Sequence, residues 1–198
     1  MINFIDLNKS LPYKIFLKHY RHALKQQQSS IEAICISSFN VHLGEVSSRY
    51  VNLKYIKDTE WIFFSNYNSP KSQDFISHNQ IAATIFWDSI KLQIRIKAKI
   101  TNTDSSFSDE HFNLREREKN SLSISSDQSA RIESFSKIEK NFKDVHESDT
   151  NHSRPNYWGG FSFTPYYFEF WEGGEFRLNK RNAYTFQKDC WKSDILQP

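Results

Sequence analysis

Apolar and polar positions alternate most regularly in QIRIKAKI, residues 93–100. Ile94, Ile96, Ala98 and Ile100 share one face, and Gln93, Arg95, Lys97 and Lys99 the other. A repeat of two predicts a strand with one face in a core. Runs rich in Ile, Val and aromatic residues predict further strands at 31–39, 48–56, 60–66 and 80–87. FSFTPYYFEFWEGG, NAYTFQ and DCWKSDIL predict three closing strands. Ile15, Phe16, Tyr20 and Ala23, near helical spacing after Pro12, predict a helix over 12–28. A proline-opened helix is expected at 70–79, and a charged one at 108–120. A third is expected at 129–145, with Ile132, Phe135, Ile138 and Phe142 three and four apart. The segment 146–156, HESDTNHSRPN, reads as a loop. Strands at short spacing with helices at their ends predict an α+β chain built on a β-barrel. One domain over 1–198 is expected, with residues 1–11 as a flexible arm.

Composition narrows this picture only slightly. Aromatic residues make up 16% of the chain, with 17 Phe, which suits half-buried strands and flat ligand walls. A net charge of +3 permits anionic partners without calling for nucleic acid, and no concentrated basic and aromatic stripe is present. Cys35 and Cys190 stand in neither metal-ligand nor CxxC spacing, and no disulfide framework is implied. The chain has neither a signal-peptide pattern at its start nor an apolar run of about 18 residues. The expectation is a cytoplasmic protein without a membrane or metal partner.

Three short segments carry candidate chemistry. SSRYVNLK places Arg49 and Lys54 near the ends of one strand, on opposite faces if it is regular. Either could meet a phosphate, or both could simply keep the strand solvated. Ser69-Pro70-Lys71 enters the helix at 70–79, where free amides and a lysine suit a phosphate and an ordinary helix cap explains the same residues. His111, Arg115 and Lys119 recur every four residues and would share one helical face, a stripe that something anionic would relieve. A solvated charged helix is the bland alternative. Nucleophile elbow, Walker loop, GxGxxG, HExxH and paired-carboxylate signatures are all missing from the sequence, so hard chemistry would come from a cofactor.

Taken in order, SSRYVNLK, WIFFSNYNSPK, LQIRIKAKI, SSDQSARI and NYWGGFSFTPYYFEFWEGGEFRLNKR resemble the pyridoxamine 5′-phosphate oxidase family. The likeness runs from about residue 12 to the final ILQP; WGG followed by EFW-x-G-x-x-x-RL-x-x-R is its most specific part. It implies the family's FMN-binding split β-barrel and a homodimer with FMN at the subunit interface. Position by position, it implies FMN contacts from Arg49, Tyr50, Val51, Asn52, Leu53 and Lys54, then Phe64 and Ser65. Lys71, Gln93, Gln128, Ser129, Trp171 and Arg181 complete the set, while Pro70 replaces an arginine and implies weaker FMN binding.

On the substrate side the resemblance implies Lys54, His111, Arg115 and Lys119 where the family has lysine, tyrosine, arginine and serine. That set would be more positive than usual. Arg177 and Asn179 fall on the family's catalytic Arg-Leu-His, with asparagine in place of histidine. The substrate-covering N-terminal arm of longer members is expected to be missing. The implied reaction passes a hydride from an anionic aromatic substrate to the flavin, with O2 as the final oxidant and hydrogen peroxide as product. Asn179 can donate a hydrogen bond but cannot titrate near neutral pH, so slower or altered turnover is expected. A reduced phenazine-type ring is the alternative substrate, and a non-catalytic flavin-binding protein the alternative class.

Overall fold

In the computed structural model, which describes residues 1–148 and 153–198, ten strands form one sheet and five helices lie around it. The strands are β1 (Asn3–Ile5), β2 (Ala33–Asn40), β3 (Glu45–Asn52), β4 (Tyr55–Lys57), β5 (Glu60–Asn66), β6 (Gln80–Trp87), β7 (Leu92–Asn102), β8 (Trp158–Glu172), β9 (Lys180–Gln187) and β10 (Cys190–Leu196). The helices are α1 (Leu11–Lys25), α2 (Pro70–Ser77), α3 (Ser105–Leu114), α4 (Arg117–Ser125) and α5 (Phe135–His146). The α+β class expected from the strand spacing is therefore present. Part of the 146–156 loop lies outside the described residues.

The sheet runs β1-β4-β5-β8-β7-β6-β2-β3, with β9 on the remaining edge of β8 and β10 beyond it. β8 is the spine. Its first half pairs with β5 and its second half with β9, while β7 follows it on the other side. Pro165 sits where the first edge changes partner, and the β7 register shifts beside it at Lys97/Ala98. A proline inside a strand belongs at such an irregularity because it lacks the ladder donor.

The alternation in β7 places Ile94, Ile96, Ala98 and Ile100 in the core, each at most 2% exposed. Phe16 and Tyr20 of α1 pack there against Trp87, and Phe16 also meets Trp61. Aromatic rings, Phe16, Phe63, Phe161, Phe163, Phe168 and Phe170 among them, share this core with Ile, Leu and Ala side chains.

Four local expectations need correction. The strand expected at 48–56 is two strands, because Asn52 still pairs with β2 whereas Tyr55 pairs with β5. Leu53 is buried at the switch, and the alternation that would put Arg49 and Lys54 on opposite faces ends there. The helix expected at 108–120 is also two: Arg115 leaves helical geometry (φ −80°, ψ 153°) and Glu116 (φ −59°, ψ 141°) caps α4. α5 starts at Phe135 with Ser134 Oγ accepting from the Lys137 amide, so Ile132 falls outside it. It buries no side chain, and Phe135 is 71% exposed. Finally, residues 3–5 are not a loose arm: β1 runs parallel to β4, and Ile2 is buried under the Tyr20 hydroxyl, which accepts from its amide.

Candidate active site

A cavity of about 510 Å³ opens between the β3–β4 junction, the end of β5, the start of α2 and the α3–α4 break. Arg49, Tyr50, Val51, Asn52, Lys54, Phe64, Ser65, Lys71, His111, Arg115, Lys119, Gln128 and Ser129 all line it. These thirteen candidates come from five separate stretches of sequence. Of the candidates at 49–54, only Leu53 turns away, with its side chain in the core.

At one end Arg49 and Lys71 form a cationic pair. Arg49 donates to Ser38 Oγ at 2.6 Å, and its guanidinium lies 3.5 Å from the buried Asp74 carboxylate. Asp74 also accepts from Ser38 Oγ and from the Asn40 side-chain amide, so two groups fix it beside Arg49. Lys71 is 7% exposed and donates to Ser69 Oγ at 2.9 Å. Burial, helped by the charge of Arg49, lowers its pKa to about 8. Ser69 stands at the N-cap of α2 but its side chain makes no capping bond; its hydroxyl donates to the Asn66 carbonyl instead. A buried lysine held beside an arginine, at the opening of a helix, is unfavourable until an anion joins it.

The middle of the cavity is polar on one wall and flat on another. Gln128 Oε1 accepts from Ser65 Oγ at 3.1 Å and from the Asn66 amide at 3.3 Å. Ser129 follows with φ 72°, the left-handed region that a non-glycine residue adopts only where surrounding structure holds it. Opposite stand Phe64 and Trp158, near-parallel with centroids 5.4 Å apart.

The far end holds His111, Arg115, Lys54 and Lys119. They are gathered around one cavity, but by the break between α3 and α4 rather than by a continuous helical stripe. Arg115 lies 4.4 Å over the Trp158 ring and donates to Asn120 Oδ1, Ser123 Oγ and the Lys119 carbonyl. Burial lowers its pKa to about 10, which leaves it charged at neutral pH. His111 stacks on Phe64 at 3.7 Å, and its Nδ1 lies 2.9 Å from the Tyr55 hydroxyl. Burial, with Arg115 and Lys54 nearby, lowers its pKa to about 4. His111 is therefore neutral, and Lys119 is paired with Glu116 at 2.7 Å on the surface. The site is less positive than the residue types alone suggest.

A side lobe of about 260 Å³ continues from this end past Leu122, Ser123 and Ser126 of the α4 region. Trp158 and Tyr55 were not among the sequence candidates. Trp158 precedes two glycines whose missing side chains let β8 pass close: a Cβ at Gly159 would strike the Tyr67 hydroxyl, and one at Gly160 the Thr103 side chain.

The remaining candidates lie elsewhere. Gln93, Trp171 and Arg181 form a row across β7, β8 and β9, Gln93 opposite Trp171 and Trp171 opposite Arg181. Arg181 is held by the 1%-exposed Glu169 at 2.9 Å, which Arg95 and Tyr167 also contact. Burial alone would raise the Glu169 pKa, but the bonds from Arg181 and Tyr167 and the charge of Arg95 hold it below the usual range. Arg177 sits at φ 62° in the β8–β9 turn, and Asn179 follows it. None of these five lines the cavity.

Comparison with known proteins decides the family. A pyridoxine/pyridoxamine 5′-phosphate oxidase of Rippkaea orientalis is 31% identical over 196 residues, covering 98% of this chain and 92% of its own length. One from Cytophaga hutchinsonii is 32% identical over 192 residues, covering 93% and 88%. The chain belongs to the pyridoxine/pyridoxamine 5′-phosphate oxidase family. It is thus a flavin-dependent oxidoreductase of that type. Residues 158–198 match the model of the pyridoxine 5′-phosphate oxidase C-terminal dimerisation region.

Among solved structures, PhzG from Burkholderia lata 383, in complex with tetrahydrophenazine-1-carboxylic acid, superposes with a TM-score of 0.91 at 22% identity, covering 96% of this chain and 93% of that one. A pyridoxamine 5′-phosphate oxidase-related, FMN-binding protein from Nostoc punctiforme superposes with a TM-score of 0.76 at 13% identity, covering 96% and 100%. Both support the split-barrel fold expected from the resemblance. No helix among the described residues is long and apolar enough to cross a membrane, and no cluster there could hold a metal ion.

Proposed function

We propose that the chain is an FMN-dependent oxidase acting on pyridoxamine or pyridoxine 5′-phosphate. The observation that carries this reading is one cavity with a cationic group at each end, Arg49 with Lys71 and Arg115 with Lys54. A flavin phosphate and a substrate anion need two such ends, with flat and hydrogen-bonding walls between them. Arg49, Lys71 and Ser129 would hold the phosphate, Ser65 and Gln128 the flavin edge, and Phe64 and Trp158 the aromatic side of the cavity. The buried Lys71, with no carboxylate partner of its own among the described residues, fits such a phosphate. When bound, the flavin accepts a hydride equivalent from the substrate and delivers the electrons to O2, giving hydrogen peroxide.

The protein's part is placement. Lys54 and Arg115 hold the substrate anion, His111 adds a neutral polar edge, and burial raises the strength of each contact by excluding water. Arg177 and Asn179 are proposed to reach substrate from a second copy, with Gln93, Trp171 and Arg181 closing the flavin site across the interface. Support comes from their position outside the cavity and from the bare apolar turn beside them, where Phe176 is 93% and Leu178 71% exposed. The region matched by the dimerisation model carries that turn.

The test is to load the purified protein with FMN, add pyridoxamine 5′-phosphate and measure pyridoxal 5′-phosphate and peroxide together. FMN-loaded protein that yields neither overturns the reading. A second substrate class is favoured by the side lobe beyond Arg115, which gives room for a larger anionic ring such as a reduced phenazine carboxylate. Faster turnover of that compound than of pyridoxamine 5′-phosphate would select it.

A further inference from the structure

The environment of His111 restricts which of its nitrogens carries the proton. The imidazole is wedged flat against Phe64, and its Nδ1 meets only the Tyr55 hydroxyl. Nε2 has no protein partner among the described residues, and the ring lines the cavity beside Arg115 and Lys54. Tyr55 is itself fixed, edge-on to Phe64, Phe107 and His111, on a strand tied to β1. A phenol hydroxyl at this distance can donate to an unprotonated Nδ1.

We propose that Tyr55 is a positioning residue, whose hydroxyl donates to His111 Nδ1 and fixes the Nε2–H tautomer, aiming an uncharged donor at the substrate's anionic group. A neutral imidazole carries one donor and one acceptor nitrogen, and the partner of one nitrogen sets the role of the other. The opposite tautomer would point a lone pair at the place where Arg115 and Lys54 gather negative charge. The Nε2–H form instead adds a hydrogen bond there without adding a third cation to the cluster, whose mutual repulsion would have to be offset. The proposal rests on the reading that this end of the cavity takes an anionic substrate group.

Long-range 1H–15N correlation spectra of the labelled protein at neutral pH read the tautomer directly, with His111 assigned by its loss in His111→Gln. The expected spectrum has a protonated Nε2 and an unprotonated Nδ1, and Tyr55→Phe shifts both toward tautomer averaging. Inorganic phosphate is titrated in parallel and followed at the Trp158 indole resonance, which lies in the same stack as His111. Its affinity should fall about five- to tenfold in Tyr55→Phe, the size of one lost polar contact. Phenylalanine keeps the ring packing, so the fold is retained. In a His111→Tyr background, whose hydroxyl has no tautomer to fix, phosphate affinity should be the same with Tyr or Phe at 55. A wild-type proton on Nδ1 overturns the proposal, as does a Tyr55→Phe protein that keeps both tautomer and affinity. The oxidase reading fails separately, by the turnover assay.

Discussion

The side-chain carbonyl of Asn179 accepts a hydrogen bond from the backbone amide of Gly174 at 3.2 Å, closing the turn between β8 and β9. Gly174 has no room for a side chain, since a Cβ there would strike the Leu178 carbonyl. The turn also holds Phe176 and Arg177 at positive φ, so it carries strain that the Asn179 bond helps to contain. The residue that departs from the resembling family's histidine thus has a structural task within its own loop.

Asn179→Ala should therefore lower stability by about 0.5–1.5 kcal/mol, the range for one intramolecular hydrogen bond. Urea unfolding of the wild type and variant gives the difference, and limited proteolysis should show faster cutting near residues 174–179. An unchanged unfolding midpoint would mean that the bond contributes nothing to the turn.

Arg115 combines stacking on Trp158 with three hydrogen bonds around the start of α4. Lysine can keep the charge but neither the plane nor the forked donors. Arg115→Lys should weaken binding of the substrate anion by about 1–2 kcal/mol, roughly tenfold. Steady-state kinetics should show this mainly in KM if Arg115 holds substrate and reacting state alike.

The cationic end predicts a pH dependence for cofactor binding. Lys71 has its pKa lowered from 10.5 to about 8, so the free protein loses that proton as pH rises through 8. A bound phosphate favours the charged lysine and raises its pKa, so the complex holds more protons than the free protein above about pH 8. FMN affinity, measured by quenching of flavin fluorescence, should be flat near pH 7 and weaken above 8, approaching tenfold per pH unit. Lys71→Ala should bind FMN more weakly at pH 7 and lose this dependence.

Much of the core was legible because period two in β7 and helical spacing in α1 are written directly in residue type. The cavity was legible as a set of residues, since thirteen of the candidates meet there. Its construction was not. The break at Leu53 is a change of pairing partner, and at the break beside Arg115 a guanidinium donates to oxygens of the next helix, neither of which periodicity records. The neutrality of His111 depends on burial and on the charges of Arg115 and Lys54, and its ring is held by Tyr55, 56 residues away in sequence. α5 shows the opposite failure, an amphipathic pattern only half covered: Ile138 and Phe142 are half-buried and Phe135 is exposed.

The separation of the candidates into two groups gives the last prediction. Lys54 lines the cavity, whereas Arg177 sits in the β8–β9 turn outside it. If each site draws Lys54 from one copy and Arg177 from the other, Lys54→Ala and Arg177→Ala enzymes should each be inactive alone yet complement each other when mixed. Random reassortment makes about half of the dimers mixed. Each mixed dimer has one site with both residues intact and one with neither, so about a quarter of wild-type activity should return after co-refolding or co-expression. The mixture staying as inactive as its parents, with mixed dimers demonstrated by tag pull-down, would place both residues in the same copy's site and remove the shared-site arrangement.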